Sequence, residues 1–317
     1  MHDRALPLFL NVKGEIKHNM KKDIFSSCTL CPRQCGVNRY ETVGFCGAPA
    51  QIKAAKACLH LWEEPCISGT NGSGAVFFSH CQLQCPFCQN EEISHLGKGI
   101  LITPQRLCEI FLHLQASGAH NINLVSATPY VPLVIKALKL AKPQLQVPVL
   151  FNCGGYESVQ TIQMLAGYVD IYMPDIKYYA PALTAKYFSA ADYFEKALAA
   201  LKEMYRQTGA PKQQDGLLKS GVIVRHLVMP GTYRDSIEIL RQLHDIFGEK
   251  AFLLSLMSQY LPCGRAKGIS PINSKITTFE YQKVCDAASA LGFDGYLQER
   301  DSASDRYIPH FDFEGIL

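Results

Sequence analysis

Residues 74–88 read GAVFFSH followed at once by CQLQCPFC, and the remainder of the chain is best read outward from this stretch. Its first seven residues are apolar and rich in β-branched and aromatic side chains, as expected of a strand buried on both faces. Five later stretches share that character: residues 122–126 (INLVS), 147–151 (VPVLF), 169–173 (VDIYM), 221–228 (GVIVRHLV) and 251–256 (AFLLSL). Helical patterns separate them. Thr103 followed by Pro104 reads as an N-cap with proline at the first helical position, and Gly118 as the stop. Between them Leu107, Ile110, Phe111 and Leu114 form an i, i+3, i+4, i+7 stripe. Gly167, Gly209, Gly248 and Gly292 sit where later helices should end.

Six strands alternating with helices predict an α/β fold, a partial (β/α)6 barrel of TIM type whose strand-end loops build the active site. The alternation is not seen before residue 74. The expected organisation is therefore a cysteine-rich module over residues 1–73, the barrel over 74–300 and a tail over 301–317. The boundary is placed in the stretch GTNGSG (69–74).

The second half of the opening stretch carries the chemistry. Cys81, Cys85 and Cys88 have C-x3-C-x2-C spacing at the end of the first strand. A [4Fe–4S] cube usually takes four thiolates, and here the loop supplies three. Cys108 lies twenty residues further on, inside a predicted helix. One iron is thus left for an exogenous ligand. Zinc prefers four protein ligands, and only His80 or His95 stands near enough in sequence to complete such a set.

Thirteen cysteines are many for a chain of 317 residues. In a reducing compartment clustered thiols point to metal or redox chemistry rather than disulfides. A second group, Cys28, Cys31, Cys35 and Cys46, supplies four thiols for a further metal site, either an auxiliary [4Fe–4S] cluster or structural zinc. Cys58, Cys66, Cys108, Cys153, Cys263 and Cys285 are scattered and read as small buried hydrophobes.

Composition narrows the class. Hydrophobic residues make up 48% and charged residues 19%, with a formal net charge of +3. That charge is too mild to argue for nucleic acid or an anionic membrane as partner. There is no run of eighteen apolar residues, so no membrane helix is expected. The opening apolar patch is broken by Asn11, Lys13 and Glu15, unlike a signal peptide, and a cytoplasmic protein is the expectation.

The motifs SHCQLQCPFCQNEEIS (79–94), LVSATPY (124–130), FNCGGYE (151–157), MPDIKYY (173–179), VRHLVMPG (224–231) and LMSQY (256–260) occur one per strand end. Together they resemble the radical S-adenosylmethionine (SAM) superfamily, and within it the activating enzymes related to pyruvate formate-lyase activase. The resemblance implies an enzyme that cleaves SAM reductively, giving a 5′-deoxyadenosyl radical that abstracts hydrogen from a substrate. It implies an external one-electron donor of flavodoxin or ferredoxin type. It further implies that Phe87 contacts adenine, that Ser126, Ala127 and Thr128 lie at the SAM amino group, and that Asn152 meets the ribose. Asp175 and Lys177 match an Asp-x-Lys motif whose lysine pairs with the SAM carboxylate, with Arg225 or His226 serving the same pocket. Gln259 stands where a SAM-contacting histidine is usual, and His80 where a glycine commonly precedes the first ligand.

Residues 28–39 also resemble a CxLCPRxCxVNR segment of related iron–sulfur proteins. Extra cysteines in glycyl-radical activases usually follow the three-cysteine loop, whereas here they precede it. Two alternatives stay open: an activase acting on a partner protein, and a non-catalytic iron–sulfur or zinc protein. A six-unit sheet does not close, which leaves room for a protein or peptide substrate. Residues 60–65 (HLWEEP) and the aromatic tail (Tyr307, Phe311, Phe313) could line or cover that opening.

Overall fold

The computed structural model describes residues 23–298 and 310–317. The opening apolar patch and Tyr307 lie outside the described residues. The strands are β1 (Ile52–His60), β2 (Ser73–Phe78), β3 (Ile100–Ile102), β4 (Ile122–Val125), β5 (Val149–Cys153), β6 (Ile171–Pro174), β7 (Lys212–Gln214), β8 (Leu217–Leu227), β9 (Leu253–Met257) and β10 (Gly295–Leu297). The helices are α1 (Pro65–Ser68), α2 (Glu91–Ser94), α3 (Pro104–Ala116), α4 (Val131–Ala141), α5 (Val159–Met164), α6 (Pro181–Phe188), α7 (Tyr193–Thr208), α8 (Tyr233–Phe247) and α9 (Thr278–Ala290).

All six expected strands form, as β2, β4, β5, β6, β8 and β9, and they pair in parallel in chain order. The sheet order β10-β9-β8-β6-β5-β4-β2-β1-β3 does not return to its start, so the barrel is partial and open. Strand edges differ from expectation for local reasons. Proline has no N–H for a ladder, so Pro148 contributes only its carbonyl, to Ile122, and β5 begins at Val149. β8 starts at Leu217 because it first forms a hairpin with β7 around Asp215 and Gly216. Both turn residues have positive φ, +52° and +76°, the geometry that a two-residue Asp-Gly hairpin needs.

The helix ends follow the expected chemistry. The Thr103 hydroxyl accepts from the Arg106 N–H at 3.1 Å, and Leu107, Ile110, Phe111 and Leu114 are all buried. Gly209 and Gly248 close α7 and α8 at positive φ, +68° and +76°, with ψ near 180°, a region open essentially to glycine alone.

β1 is the main element not anticipated from sequence. Its residues, IKAAKACLH, lack the β-branched run of the other strands. It is a strand because it pairs antiparallel with both β2 and β3, and context routinely overrides β-propensity in this way. The expected boundary at residues 69–74 therefore falls in the connection between two paired strands. That connection turns inward. Cys66 and Ile67 of α1 pack among Leu150, Ile171, Met173, Leu218 and Ile223 in the barrel interior. Asn121 Nδ2 donates to Ile67 O at 2.8 Å, and Ser68 Oγ donates to His60 O at 3.2 Å.

The tail lies along β1. Phe313 N donates to Ala55 O, Ala57 N donates to Glu314 O, and Lys56 bridges Asp312 (2.8 Å) and Glu314 (2.6 Å). Phe311 packs edge-on against Phe77 at 5.7 Å between centroids. Among the described residues no helix is long and apolar enough to cross a membrane.

The α1 plug gives a stability prediction. Ile67 is fully buried, so Ile67→Ala should cost about 2–5 kcal/mol, and Ile67→Val about 0.5–1.5 kcal/mol. Urea unfolding measures both, and equal effects of the two substitutions would contradict the plug.

Candidate active site

The C-terminal ends of the parallel strands surround a cavity of about 470 Å³. Cys81, Cys85 and Cys88 line it from the loop after β2, together with Phe87. The loop is tethered from several directions. Arg33 Nε donates to Gln82 O at 3.1 Å, and Gln84 Nε2 donates to Phe45 O at 2.9 Å. Arg265 Nη2 donates to Gln84 O, and Ala266 N to Pro86 O. Entry to the loop passes through His80 at φ +72°, a left-handed conformation that costs glycine least, which accounts for glycine's frequency at such a position.

Burial pushes the Cys81 thiol up to about 11, and the Cys85 and Cys88 thiols above the usual range. Such groups would stay neutral on their own, whereas a bound metal deprotonates them. The surroundings suit that state. Leu83 N–H points at Cys81 Sγ (3.4 Å), the Ser94 hydroxyl at Cys88 Sγ (3.2 Å), and the Lys177 ammonium acts electrostatically on Cys85. Three cavity-facing thiols supplied with donors fit an iron–sulfur cluster. No three His, Cys, Asp or Glu side chains among the described residues converge on a single-ion point. A cluster asks for something different, because each thiolate ligates its own iron.

Two ion-paired groups face the same cavity. Lys177 Nζ bonds Asp175 Oδ2 at 2.6 Å. Burial opposes the lysine charge, but Asp175 and Cys85 outweigh it and hold its pKa above the usual range. On β8, Arg225 donates from Nε to Glu64 Oε1 (2.7 Å), and from Nη2 to Glu64 Oε2 (2.6 Å) and to Glu63 Oε2. Asn123 Nδ2 donates to Glu63 Oε1 at 2.8 Å. For Arg225, too, burial opposes the charge, and Glu63 and Glu64 more than restore it.

Strand alternation decides between neighbours, because successive side chains point to opposite faces. Arg225 lines the cavity, while His226 turns outward into the core, donating Nδ1–H to Ile176 O at 2.6 Å. Ser126, Asn152, Asp175, Lys177 and Gln259 also line the cavity. Ala127 and Thr128 do not. They are buried in the turn leading into α4, at 0% and 1% exposure. Gln259 accepts from Gln298 Nε2 at 3.1 Å.

His60, Trp62, Glu63, Glu64 and Pro65 of the 60–65 stretch line the cavity, as one reading of that stretch expected. The pairing of Glu63 and Glu64 with Arg225 arises only because the β1–α1 connection folds inward, which no local pattern announces. Two further residues were not given a role at the site from sequence. Glu157 is fully buried beside the thiol loop, where Gln82 Nε2 donates to it at 2.8 Å and burial raises its carboxyl to about 7. Cys263, expected as a plain buried hydrophobe, donates to Phe87 O at 3.3 Å and acts electrostatically on Cys88.

Cys28, Cys31, Cys35 and Cys46 do not line the cavity. They act on one another electrostatically, and burial raises the Cys31 and Cys46 thiols. Ala48 N–H points at Cys46 Sγ (3.5 Å) and Arg39 Nη1 at Cys28 Sγ (3.9 Å). Two arginines dock the module: Arg33 on Gln82 O, Phe188 O and Ser189 O, and Arg39, which also bonds Ala48 O and Pro49 O within the module, on Pro129 O. The module thus packs against the outer side of the three-cysteine loop.

A sequence model described as the radical SAM superfamily matches residues 75–244. An uncharacterized protein of Methanocaldococcus jannaschii is 28% identical over 299 residues, covering 91% of this chain and 80% of that protein. Among solved structures, methylornithine synthase aligns at TM-score 0.47 and 14% identity, over 68% of each chain. Streptococcus suis SuiB, bound to its precursor peptide SuiA, aligns at TM-score 0.48 and 11% identity, over 69% of this chain and 46% of that one.

The buried ion pairs predict the response to substitution. Arg225→Ala leaves Glu63 and Glu64 without their cation and should destabilise the fold by about 3–5 kcal/mol. Chemical denaturation measures this, and a loss under about 1 kcal/mol would show that the triad is solvated like a surface pair.

Proposed function

The chain belongs to the radical SAM superfamily, and from that premise we propose that Cys81, Cys85 and Cys88 hold a [4Fe–4S] cluster whose fourth iron receives SAM. The observation that carries this reading is the sharing of one cavity by the three thiols and the Lys177–Asp175 pair. Bound there, cluster and SAM would supply a 5′-deoxyadenosyl radical for hydrogen abstraction from the substrate.

The chain's own residues position and shield. Asp175 holds the Lys177 ammonium in place, and that group keeps donors for a further acceptor, the SAM carboxylate. Phe87 offers a ring face for adenine, braced edge-on by Tyr178, Tyr187, Phe188 and Tyr260 at 6.0–6.4 Å between centroids. Ser126, Asn152 and Gln259 supply polar contacts along the wall. Apolar side chains such as Leu83, Leu227 and Met257 help exclude water from a reactive intermediate. Reduction requires an external electron donor, for which a flavodoxin or ferredoxin is the proposed class. The Cys28, Cys31, Cys35 and Cys46 group is proposed to hold a second metal: an auxiliary [4Fe–4S] cluster, since these thiols too do not converge on a single-ion point, with zinc as the alternative that metal analysis decides. The donors aimed at Cys28 and Cys46 support this assignment.

Anaerobically reconstituted protein given SAM and dithionite should form 5′-deoxyadenosine, and the Cys81/Cys85/Cys88 triple alanine variant should not. Undiminished cleavage by that variant would refute the assignment. The same variant isolates the amino-terminal group for metal analysis. About four irons per chain would indicate a cluster, one zinc a structural site, and neither metal would overturn the second site. Lys177→Ala should weaken SAM binding by about 1.5–3 kcal/mol while iron content is retained. Calorimetric titration reads the first, and unchanged affinity would return Lys177 to a structural role.

A further inference from the structure

The cavity holds two charged groups of different chemistry on neighbouring strands. Lys177 and Asp175, which follow β6, act on the Cys85 thiol. Glu63 and Glu64 engage Arg225 on β8, Asn123 on β4 and Ser255 on β9. Their side chains are only 7% and 6% exposed. The two groups adjoin, since Asp175 pairs with Arg225 in the sheet and acts on its guanidinium. Charge is not balanced between them. Among the described residues lining the cavity, three carboxylates (Glu63, Glu64, Asp175) face two permanent cations (Arg225, Lys177). Burial keeps the His60 imidazole below its usual range, so it adds no cation near neutral pH. Lys177 bonds Asp175 directly, whereas Arg225 alone serves both Glu63 and Glu64, so the excess carboxylate lies in that pair.

A buried carboxylate without a matching cation is costly, whereas one met by a charge-assisted bond is not. Each carboxylate oxygen has capacity for a second donor beyond those it already accepts. Arg225 clamps both acids through Nε and Nη2, so they are preorganised rather than free to swing away. Its Nη1 donates to no acceptor among the described residues.

We propose that Glu63 and Glu64, held by Arg225, are the receptor for a cationic nitrogen, an ammonium or guanidinium group, on the substrate. The receptor site deepens the functional reading above and rests on it for the identity of the thiol site. A substrate anchored there shares the cavity with Cys81, Cys85 and Cys88. Arg225 Nη1 offers a donor for an acceptor next to the cation, such as an amide or carboxylate oxygen. A bare stapling role for the triad would instead leave the cavity indifferent to ligand charge.

The test uses the cluster-reconstituted protein and three isosteres: n-butylammonium, 1-butanol and butyrate. Saturation-transfer NMR titrations in the presence of SAM should show butylammonium bound about tenfold or more tightly than either of the others. Glu63→Gln keeps the bidentate Arg225–Glu64 pair, and it should bring butylammonium to near parity with butanol. Equal binding of the three isosteres by the wild-type protein would overturn the proposal, and so would a preference for butyrate. An ammonium preference that survives in both Glu63→Gln and Glu64→Gln would overturn it as well. The wild-type comparison decides the matter even if a variant fails to fold. 5′-Deoxyadenosine formation is measured on the same preparation. Ammonium preference without SAM cleavage would defeat the functional reading and leave the receptor standing. SAM cleavage without the preference would defeat the receptor alone.

Discussion

A parallel sheet that stops short of closing has an apolar interior and nothing from its own strands to fill one side of it. The structure here meets that constraint with the connection between β1 and β2. After the exposed Leu61 and Trp62, residues 63–68 turn into the barrel, seat Cys66 and Ile67 among the inward side chains of β5, β6 and β8, and present Glu63 and Glu64 to Arg225. Two carboxylates taken out of water are held there by one guanidinium that bonds both, with Asn123 and Ser255 as further donors. The same insertion that completes the core therefore sets one wall of the cavity.

The thiol loop is governed by a similar economy of backbone groups. A loop that turns three thiols into one cavity is irregular, and its carbonyls cannot be satisfied within a strand or helix. Here the carbonyls of Gln82, Gln84, Pro86 and Phe87 are bonded from two outside segments: the cysteine module through Arg33, and the turn after β9 through Arg265, Ala266 and Cys263. The loop's shape is thus held from outside. This gives the amino-terminal module a structural role in the three-cysteine loop, independent of the metal proposed for it.

Period-two alternation of strand side chains sorts the residues around the cavity. Arg225 and His226 are equally polar and adjacent, yet one enters the cavity and the other bonds Ile176 O in the core. Ala127 and Thr128 follow the cavity-lining Ser126 but turn away into the start of a helix. Function here depends on a single register at each strand end, which a one-residue slip would invert.

Much of this was legible in the sequence. The six parallel strands, the capped helix after Thr103 and the three-cysteine loop at the end of β2 follow from local apolar runs, cap chemistry and thiol spacing. Such signals depend on residues close together in the chain. What the tertiary structure alone decided lies wherever distant segments meet. β1 is a strand because of its neighbours, not its alanine-rich composition. Glu63 and Glu64 sit about 160 residues from Arg225 in sequence, and no periodicity links them. Cys263 gains its place from Phe87 O, and His80 its left-handed backbone from the turn it must make. Burial, pairing and charge balance are properties of the assembled interior, so they became visible only once the chain was folded.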